Sequence, residues 1–295
     1  MRKVLTPIAL LVALLLIIGT EMLYREPLYK ISFASIENYN KKMPEFAIQT
    51  FVLISDLGGG KTIALYTIML SLFLQERKKY VYFTLLLTTI VTVMNIQKML
   101  YKGNRPQWER DGLSTHNELK CSMEYGNPSG HSMIASTLAF ALVFDHMETN
   151  KNRTRNVRIA YAIAHTCAAV LYAFVMGISR VIVAAHSWNQ VIYGWLMGLW
   201  IAGFMQLMVR PSLNGQMDVL LDAQYHTCAR FCSSIVSTFF LMALCIGSQI
   251  GAYYLATLYG VQMNDADDDH PILRQGSFLC EEFNKKVAFN NHSLI

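Results

Sequence analysis

The chain has 295 residues, of which 53% are hydrophobic and only 15% are charged, and its formal net charge is +5. An average soluble domain carries roughly 25% charged residues, and a disordered chain carries few apolar ones. The composition therefore excludes a disordered protein, and the modest, scattered basic charge disfavours a nucleic-acid binder. Six cysteines are too few for a disulfide-rich mini-protein. A polytopic membrane protein remains.

Seven apolar blocks approach the ~20 residues that a spanning helix needs. In chain order they cover residues 4–24, 60–74, 80–99, 131–147, 159–178, 188–209 and 232–258. The first block follows Met1-Arg2-Lys3 and is interpreted as a retained signal anchor, with a cleaved signal peptide as the alternative. The pattern predicts an all-α transmembrane helix bundle over residues 1–258, with loops such as 25–49, and a polar, flexible tail over 259–295.

Basic residues are unevenly shared between the two sides of this predicted bundle. The N-terminus and the even-numbered connections carry about eleven basic residues in roughly forty, against about thirteen in roughly a hundred on the other side, so the former should be cytosolic. The sequon at Asn291 then lies on the lumenal or extracellular side, and the one at Asn152 in the cytosol. Cys121 and Cys280 also share the lumenal side, where pairing and free thiols are both open.

Four polar clusters lie at the ends of predicted spans, and the topology places all four on the lumenal side. They are Lys98 with Arg105-Pro106 after the third block, Pro128-Ser129-Gly130-His131 at the start of the fourth, Ser179-Arg180 at the end of the fifth, and His186 with Gln190 at the start of the sixth. Span ends on one face of a bundle converge, so these side chains are predicted to form one pocket at the membrane surface.

The residue types in this pocket favour phosphate chemistry. Arginine and lysine clamp a phosphate dianion, and a helix that begins at Pro128-Ser129-Gly130 directs free backbone N–H groups at the same anion. Two histidines then remain to act as nucleophile and general acid. Phosphoryl transfer needs little beyond positioning and charge stabilisation.

The three motifs together resemble the signature of the type 2 phosphatidic acid phosphatase (PAP2) superfamily: Lys98-x6-Arg105-Pro106, Pro128-Ser129-Gly130-His131 and Ser179-Arg180-x5-His186. The stretch that contains the three motifs covers about a third of the chain. The resemblance implies a six-helix core, which one extra C-terminal span follows here. It also implies that His186 attacks phosphorus and that His131 protonates the leaving oxygen and later activates water. The residues implied to hold the phosphate are Lys98, Arg105, Arg180, Ser129 and the Gly130 N–H. The resemblance implies that no metal or other cofactor is needed and that vanadate inhibits.

One position departs from the commonest family pattern, because Gln190 stands where many members carry an aspartate four residues after the nucleophile. Its carboxamide oxygen can still accept a hydrogen bond from the imidazole N–H and set the tautomer, although it adds no negative charge. Glutamine here resembles the dolichyl diphosphatase and glucose-6-phosphatase branches. Within them, residues 186–194 are closest to the dolichyl branch, whereas residues 105–108 are closer to the sugar-phosphatase branch.

These observations favour an integral-membrane phosphatase acting on a lipid phosphate or diphosphate. The two branches that the chain resembles imply the endoplasmic reticulum, with the plasma membrane or another endomembrane as the alternative. A lumenal sugar-phosphate phosphatase is the alternative, and a non-catalytic anion-binding or transport relative is a third interpretation. Two other features receive structural interpretations. His165 is taken as a residue of the helix bundle, and Gly58-Gly59-Gly60-Lys61-Thr62 as a helix start, since Ser55 stands where a P-loop needs glycine.

Overall fold

The computed structural model describes residues 2–56, 77–106, 113, 125–215 and 247. Across these residues the chain is helical and contains no strand, which confirms the predicted all-α class. The helices are α1 (Arg2–Lys42), α2 (Glu45–Asp56), α3 (Arg77–Tyr101), α4 (Gly130–Thr149), α5 (Arg155–Ile182) and α6 (Trp188–Phe204), the last continued by a π-helical turn, Met205–Val209.

Four of the described stretches are long and apolar enough to cross a membrane: Leu5–Lys42, Lys78–Tyr101, Arg155–Ile182 and Trp188–Gly215. They correspond to the first, third, fifth and sixth predicted blocks. Helix α4 covers the fourth block and is rich in small and polar side chains, and ten of its twenty residues are buried. The blocks at 60–74 and 232–258 and the tail lie outside the described residues, apart from Gly247.

Helix α1 is longer than the sequence predicted, because it continues through residues 25–42 where a loop was expected. Its 41 residues extend about 60 Å, twice the ~30 Å of a hydrocarbon core. It runs antiparallel to α6: the Trp200 indole N–H donates to the Leu10 carbonyl at 2.8 Å, and the Trp188 N–H donates to Ser32 Oγ at 2.8 Å. Ser32 and Ile36 are fully buried where α1 packs beside the start of α6. This packing stabilises a helix where a loop was predicted.

Helices α4 and α6 pack closely at the centre of the bundle because α6 presents glycine to α4. A Cβ at Gly198 would lie 2.5 Å from the Met133 carbonyl oxygen, and one at Gly194 would lie 2.8 Å from the Ser129 carbonyl oxygen. Small residues at helix crossings permit this approach in membrane bundles. Around the crossing, α3 contributes buried side chains such as Leu86 and Ile90 to the main apolar core.

The two ends of the bundle differ in chemistry. At the end where α4 finishes, Asp145 pairs with Arg210 and lies 3.6 Å from Lys79 Nζ, which joins the start of α3 to the residues after α6. At the end where α4 begins, the predicted motif residues converge. Between the two ends, α1 and α5 expose large apolar side chains such as Leu16 and Leu171, as lipid-facing helices do.

Candidate active site

His186 lies in the five-residue connection between α5 and α6, where the chain reverses direction. The N–H groups of Ala185 and His186 both donate to the Arg180 carbonyl, at 3.0 and 3.1 Å, and Ala184 adopts a left-handed conformation with φ of 55°. This turn folds the chain back under the end of α5. As a result His186 is buried, with 1% of its surface exposed, beside the start of α4.

The His186 ring is held through both of its nitrogens. Nδ1 lies 3.0 Å from the Gly126 carbonyl oxygen and 3.1 Å from Gln190 Oε1, and both of these atoms can only accept a hydrogen bond. Nδ1 therefore carries the proton and donates to both. Nε2 is then the nitrogen with a lone pair, and it faces Arg105 Nη1 at 3.3 Å. In this neutral tautomer, the nucleophilic nitrogen, Nε2, faces the Arg105 guanidinium.

Gln190 uses both ends of its amide. Oε1 accepts from His186 Nδ1 and from the Ser187 N–H at 3.3 Å, while Nε2 donates to the Asn104 carbonyl at 2.6 Å. A carboxylate at this position would meet that carbonyl with no proton between the two oxygens. Space is also limited, since a Cβ at Gly126 would lie 2.6 Å from both Gln190 Oε1 and Nε2. The site is thus built for an amide where an aspartate was the commoner expectation.

Three cations surround the imidazole. Arg105, 3% exposed, also donates from Nη1 to the Ala185 carbonyl at 3.0 Å, so it is fixed to the same turn as His186. Burial lowers the pKa of His186 well below its ordinary value of 6.5, and the positive charges of Arg105, Arg180 and Lys98 lower it further. The ring is therefore neutral near neutral pH, and the cations around it form a positive field suited to an anion.

Arg180 lies in the last turn of α5 and contacts α2, a helix that the sequence did not predict. Its Nη1 donates to Ser55 Oγ on α2. Its Nε is buried and makes no hydrogen bond to protein. An arginine N–H that is buried without a protein acceptor can be satisfied by a phosphate oxygen, because guanidinium groups bind phosphates through several N–H donors.

The start of α4 faces the same space. Ser129 precedes the first helical residue, its N–H donates to the Gln190 carbonyl at 3.0 Å, and its hydroxyl accepts from Ser132 Oγ at 3.0 Å. The first intrahelical bond is made by the Met133 N–H, so the preceding N–H groups point out of the helix end. A side chain at Gly130 would collide with Met94, with Cβ 2.6 Å from Sδ. His131 is partly exposed there and lies within electrostatic range of Lys98, Arg105 and Arg180.

All eight predicted site residues therefore lie at one end of the bundle. The predicted bundle residue His165 lies elsewhere, stacked on His146 with ring centroids 4.0 Å apart. The site also contains the carbonyls of Asn104 and Gly126 and the hydroxyl of Ser55, which were not predicted. The spacing of a motif does not indicate which distant atoms will face it. Among the described residues, no cluster of three or more His, Cys, Asp or Glu side chains could hold a metal ion. The described residues do not include Cys121, Cys280, the Gly58–Thr62 run or positions 107–108 of the 105–108 stretch.

The chain is similar to known proteins in part of its sequence and in its fold. The family model described as the PAP2 superfamily matches residues 62–213. A transmembrane PAP2-type phosphatidylglycerolphosphate phosphatase from Bacillus subtilis superposes with a TM-score of 0.53 at 16% identity, covering 72% of this chain and 97% of that one. LpxE from Aquifex aeolicus gives a TM-score of 0.42 at 20% identity, over 59% of this chain and 93% of its own. No curated protein matches the chain.

Proposed function

This chain belongs to the PAP2 superfamily, and we propose that it is an integral-membrane phosphatase that hydrolyses a lipid phosphate or diphosphate through a phosphohistidine at His186. One observation carries the proposal. The Nδ1 proton of His186 is fixed by two acceptors, which leaves the Nε2 lone pair directed into a cluster of cations. A neutral imidazole held in this way is a nucleophile whose target must be an anion.

In the first proposed step, His186 Nε2 attacks phosphorus, the P–N bond forms and the bond from phosphorus to the leaving oxygen breaks. Arg105 Nη1, 3.3 Å from Nε2, is close enough to hold an oxygen of a phosphorus bound at that nitrogen. Arg180, Lys98, Ser129 and the Gly130 N–H stabilise the remaining oxygens, which carry the developing charge. His131 supplies the proton that the leaving oxygen needs, and it carries that proton when the negative charge of the bound phosphate offsets the neighbouring cations.

In the second step, His131, now neutral, takes a proton from a water molecule as that water attacks phosphorus. The P–N bond breaks, inorganic phosphate leaves, and His186 returns to its neutral form with its proton on Nδ1. Gln190 and the Gly126 carbonyl hold that proton throughout. Since Gln190 is uncharged, the positive charge on the ring in the intermediate is offset by the bound phosphoryl group.

The position of the site supports a lipid substrate. His186 lies where the apolar part of α6 begins, and the neighbouring helices α1 and α5 expose apolar surface to a bilayer. The Bacillus subtilis protein with a similar fold is a phosphatidylglycerolphosphate phosphatase. We propose that the site faces the lumenal or extracellular side, because the opposite loops are richer in basic residues. We propose the endoplasmic reticulum as the membrane because of the two branches that the chain resembles.

The test is phosphate release by the purified protein in detergent with a chelator present. The panel is phosphatidate, a sphingoid base phosphate, dolichyl diphosphate and glucose 6-phosphate, the last representing the sugar-phosphate alternative. We expect vanadate-sensitive release from a lipid substrate, loss of at least about 10³-fold in His186→Ala, and near wild-type release in His165→Ala, a histidine outside the site. Wild-type protein that releases nothing, or His186→Ala that releases as much, would favour the non-catalytic anion-binding relative.

A further inference from the structure

An ion pair with a buried carboxylate and a half-exposed guanidinium lies in α1, outside the predicted motifs. The side chain of Glu21 is fully buried, and Arg25, one helical turn further on, donates from Nε to its two oxygens at 2.8 and 3.1 Å. Glu21 and Arg25 lie within a stretch long and apolar enough to cross the membrane. Charged residues inside membrane helices are costly, and those that occur usually face a functional region.

Stability alone is a poor explanation for this pair. The Glu21 carboxylate is fully buried, and the desolvation cost of burying a charge offsets much of its attraction to a partner. The chain could have carried apolar residues here, as it does over most of α1. Some other contact of the carboxylate is therefore worth identifying.

That contact is with the loop that precedes α4. Asn127 Nδ2 donates to Glu21 Oε1 at 3.0 Å across 106 positions of sequence, and Asn127 is 1% exposed. The residue before it, Gly126, provides the carbonyl that accepts from His186 Nδ1. Two residues after it, Ser129 begins the anion-binding end of α4. Asn127 thus lies between the two parts of the loop that the proposed chemistry uses.

The Glu21 carboxylate is also held by Arg25, whose own contacts fix the position of the pair. Glu21 can therefore hold the loop through Asn127. The Arg25 guanidinium lies over the Tyr101 ring, 4.9 Å from its centroid. The Tyr101 hydroxyl is 3.0 Å from that of Tyr193, which also accepts from Gln97 Nε2 at 3.0 Å. Helices α1, α3 and α6 are joined through this chain of contacts, and the loop attaches to it through Asn127.

We propose that Glu21 is a positioning residue, which acts through Asn127 to hold the Gly126 carbonyl against His186 and Ser129 beside the phosphate. The inference rests on the proposed phosphatase activity for its kinetic test. Loosening the loop should lower kcat, because the orientation of the nucleophile and of the helix end matters most in the transition state. KM should change little, since Lys98, Arg105 and Arg180 still attract the substrate.

The matched control is another ion pair on the same helix with the same spacing. Glu26 pairs with Lys30 at 3.0 Å, but both side chains are about three-quarters exposed, at 79% and 74%. We expect Glu21→Gln to lower kcat at least about tenfold with KM within about twofold, in the range seen when supporting hydrogen bonds are removed. Glu26→Gln should match wild type. Asn127→Ala should show the same loss, and the double variant Glu21→Gln/Asn127→Ala should lose no more than about twofold beyond it.

Two further measurements keep the result interpretable. Glu21→Asp keeps a negative charge beside Arg25 and so preserves the fold if Glu21→Gln unfolds, but its shorter side chain withdraws the acceptor from Asn127, and kcat should again fall. Vanadate can adopt the five-coordinate geometry of the transition state, so its binding depends on the orientation of His186 as well as on the cations. The rise in Tm that it causes should be smaller in the Glu21 variants than in Glu26→Gln, even if wild type proves to release no phosphate. The inference is overturned if the Glu21 variants match Glu26→Gln in both readouts, or if the losses in the double variant multiply.

Discussion

Both ends of the Gln190 amide are engaged, Oε1 by His186 and Ser187 and Nε2 by the Asn104 carbonyl. An aspartate or glutamate at this position could accept from the imidazole and would add charge beside it. It could not donate to Asn104. At the scale of a single residue, Gln190 gives up the negative charge of a carboxylate but holds the Asn104 loop in place with its N–H donor. The pKa of His186 is then set by burial and by the neighbouring cations.

The pH dependence of the reaction follows from that environment. Protonation of Nε2 removes the nucleophile, so activity is lost as pH falls through the pKa of His186, which burial and the nearby cations lower well below 6.5. We expect the acidic limb of kcat/KM, which reports the free enzyme, to lie below pH 6.5. The measurement uses a substrate whose own phosphate pKa is determined separately. An acidic limb centred at or above 6.5 would contradict the assignment.

Gln190→Glu provides the companion variant. A carboxylate next to Nδ1 favours the imidazolium, so the acidic limb should move towards higher pH. Repulsion between the new carboxylate and the Asn104 carbonyl should also lower kcat, by about tenfold or more. A limb that stays in place would show that His186 Nδ1 is not in contact with residue 190 during turnover.

At the scale of the helices, the site depends on how closely α4 and α6 approach. Helix α4 carries Ser129 and His131 at its start, and α6 carries Gln190 in its first turn, so the crossing at Gly194 and Gly198 sets the distance between the two halves of the site. Each glycine lies against backbone oxygen of α4, which has no flexible end that could move aside. The helices themselves would have to separate to admit a side chain.

Gly198→Val should therefore destabilise the bundle by about 1–3 kcal/mol, the usual cost of overpacking a core. The control is Gly203→Val on the same helix, where an added Cβ would have no heavy atom within 4 Å. Thermal unfolding in detergent should give a lower Tm for the first variant than for the second. Equal Tm values would mean that the α4–α6 crossing is looser than described.

At the scale of the whole molecule, two clusters of charged residues lie at opposite ends of the bundle, separated by the length of α4. His186 and the cations lie at the end where α4 begins, and the Asp145 cluster lies at the end where it finishes. The connection that contains Asn152 follows α4 and so lies at the second end. If the basic loops are cytosolic, Asn152 cannot meet the glycosylation machinery.

Translation into endoplasmic reticulum microsomes tests this orientation. A glycosidase-sensitive increase in mass should be abolished by Asn291→Gln and unaffected by Asn152→Gln, because only the former sequon is predicted to face the lumen. A glycan on Asn152 would reverse the topology and place the site in the cytosol.

The sequence predicted the convergence of the motif residues because span ends on one side of a bundle must meet. Gln190 was related to His186 through the resemblance, which implies an orienting residue four positions after the nucleophile. It did not predict the extension of α1, since the decline in hydropathy after Tyr24 resembles the end of a span. The contact between Glu21 and Asn127 was also missed. The sequence near Glu21 shows only an arginine four residues later, a spacing that predicts an ion pair within the helix. That spacing does not predict a third, distant partner such as Asn127.

Gly126 and Gln190 share a space that admits one large group, since a side-chain carbon at 126 would lie 2.6 Å from both amide atoms of Gln190. The two positions are therefore expected to evolve together. A lineage that keeps glutamine at 190 must keep glycine at 126, whereas a lineage that changes to the shorter aspartate is released from that requirement and can acquire a side chain there. A side chain acquired at 126 while glutamine remains at 190 would be selected against, so the change at 190 should precede the change at 126.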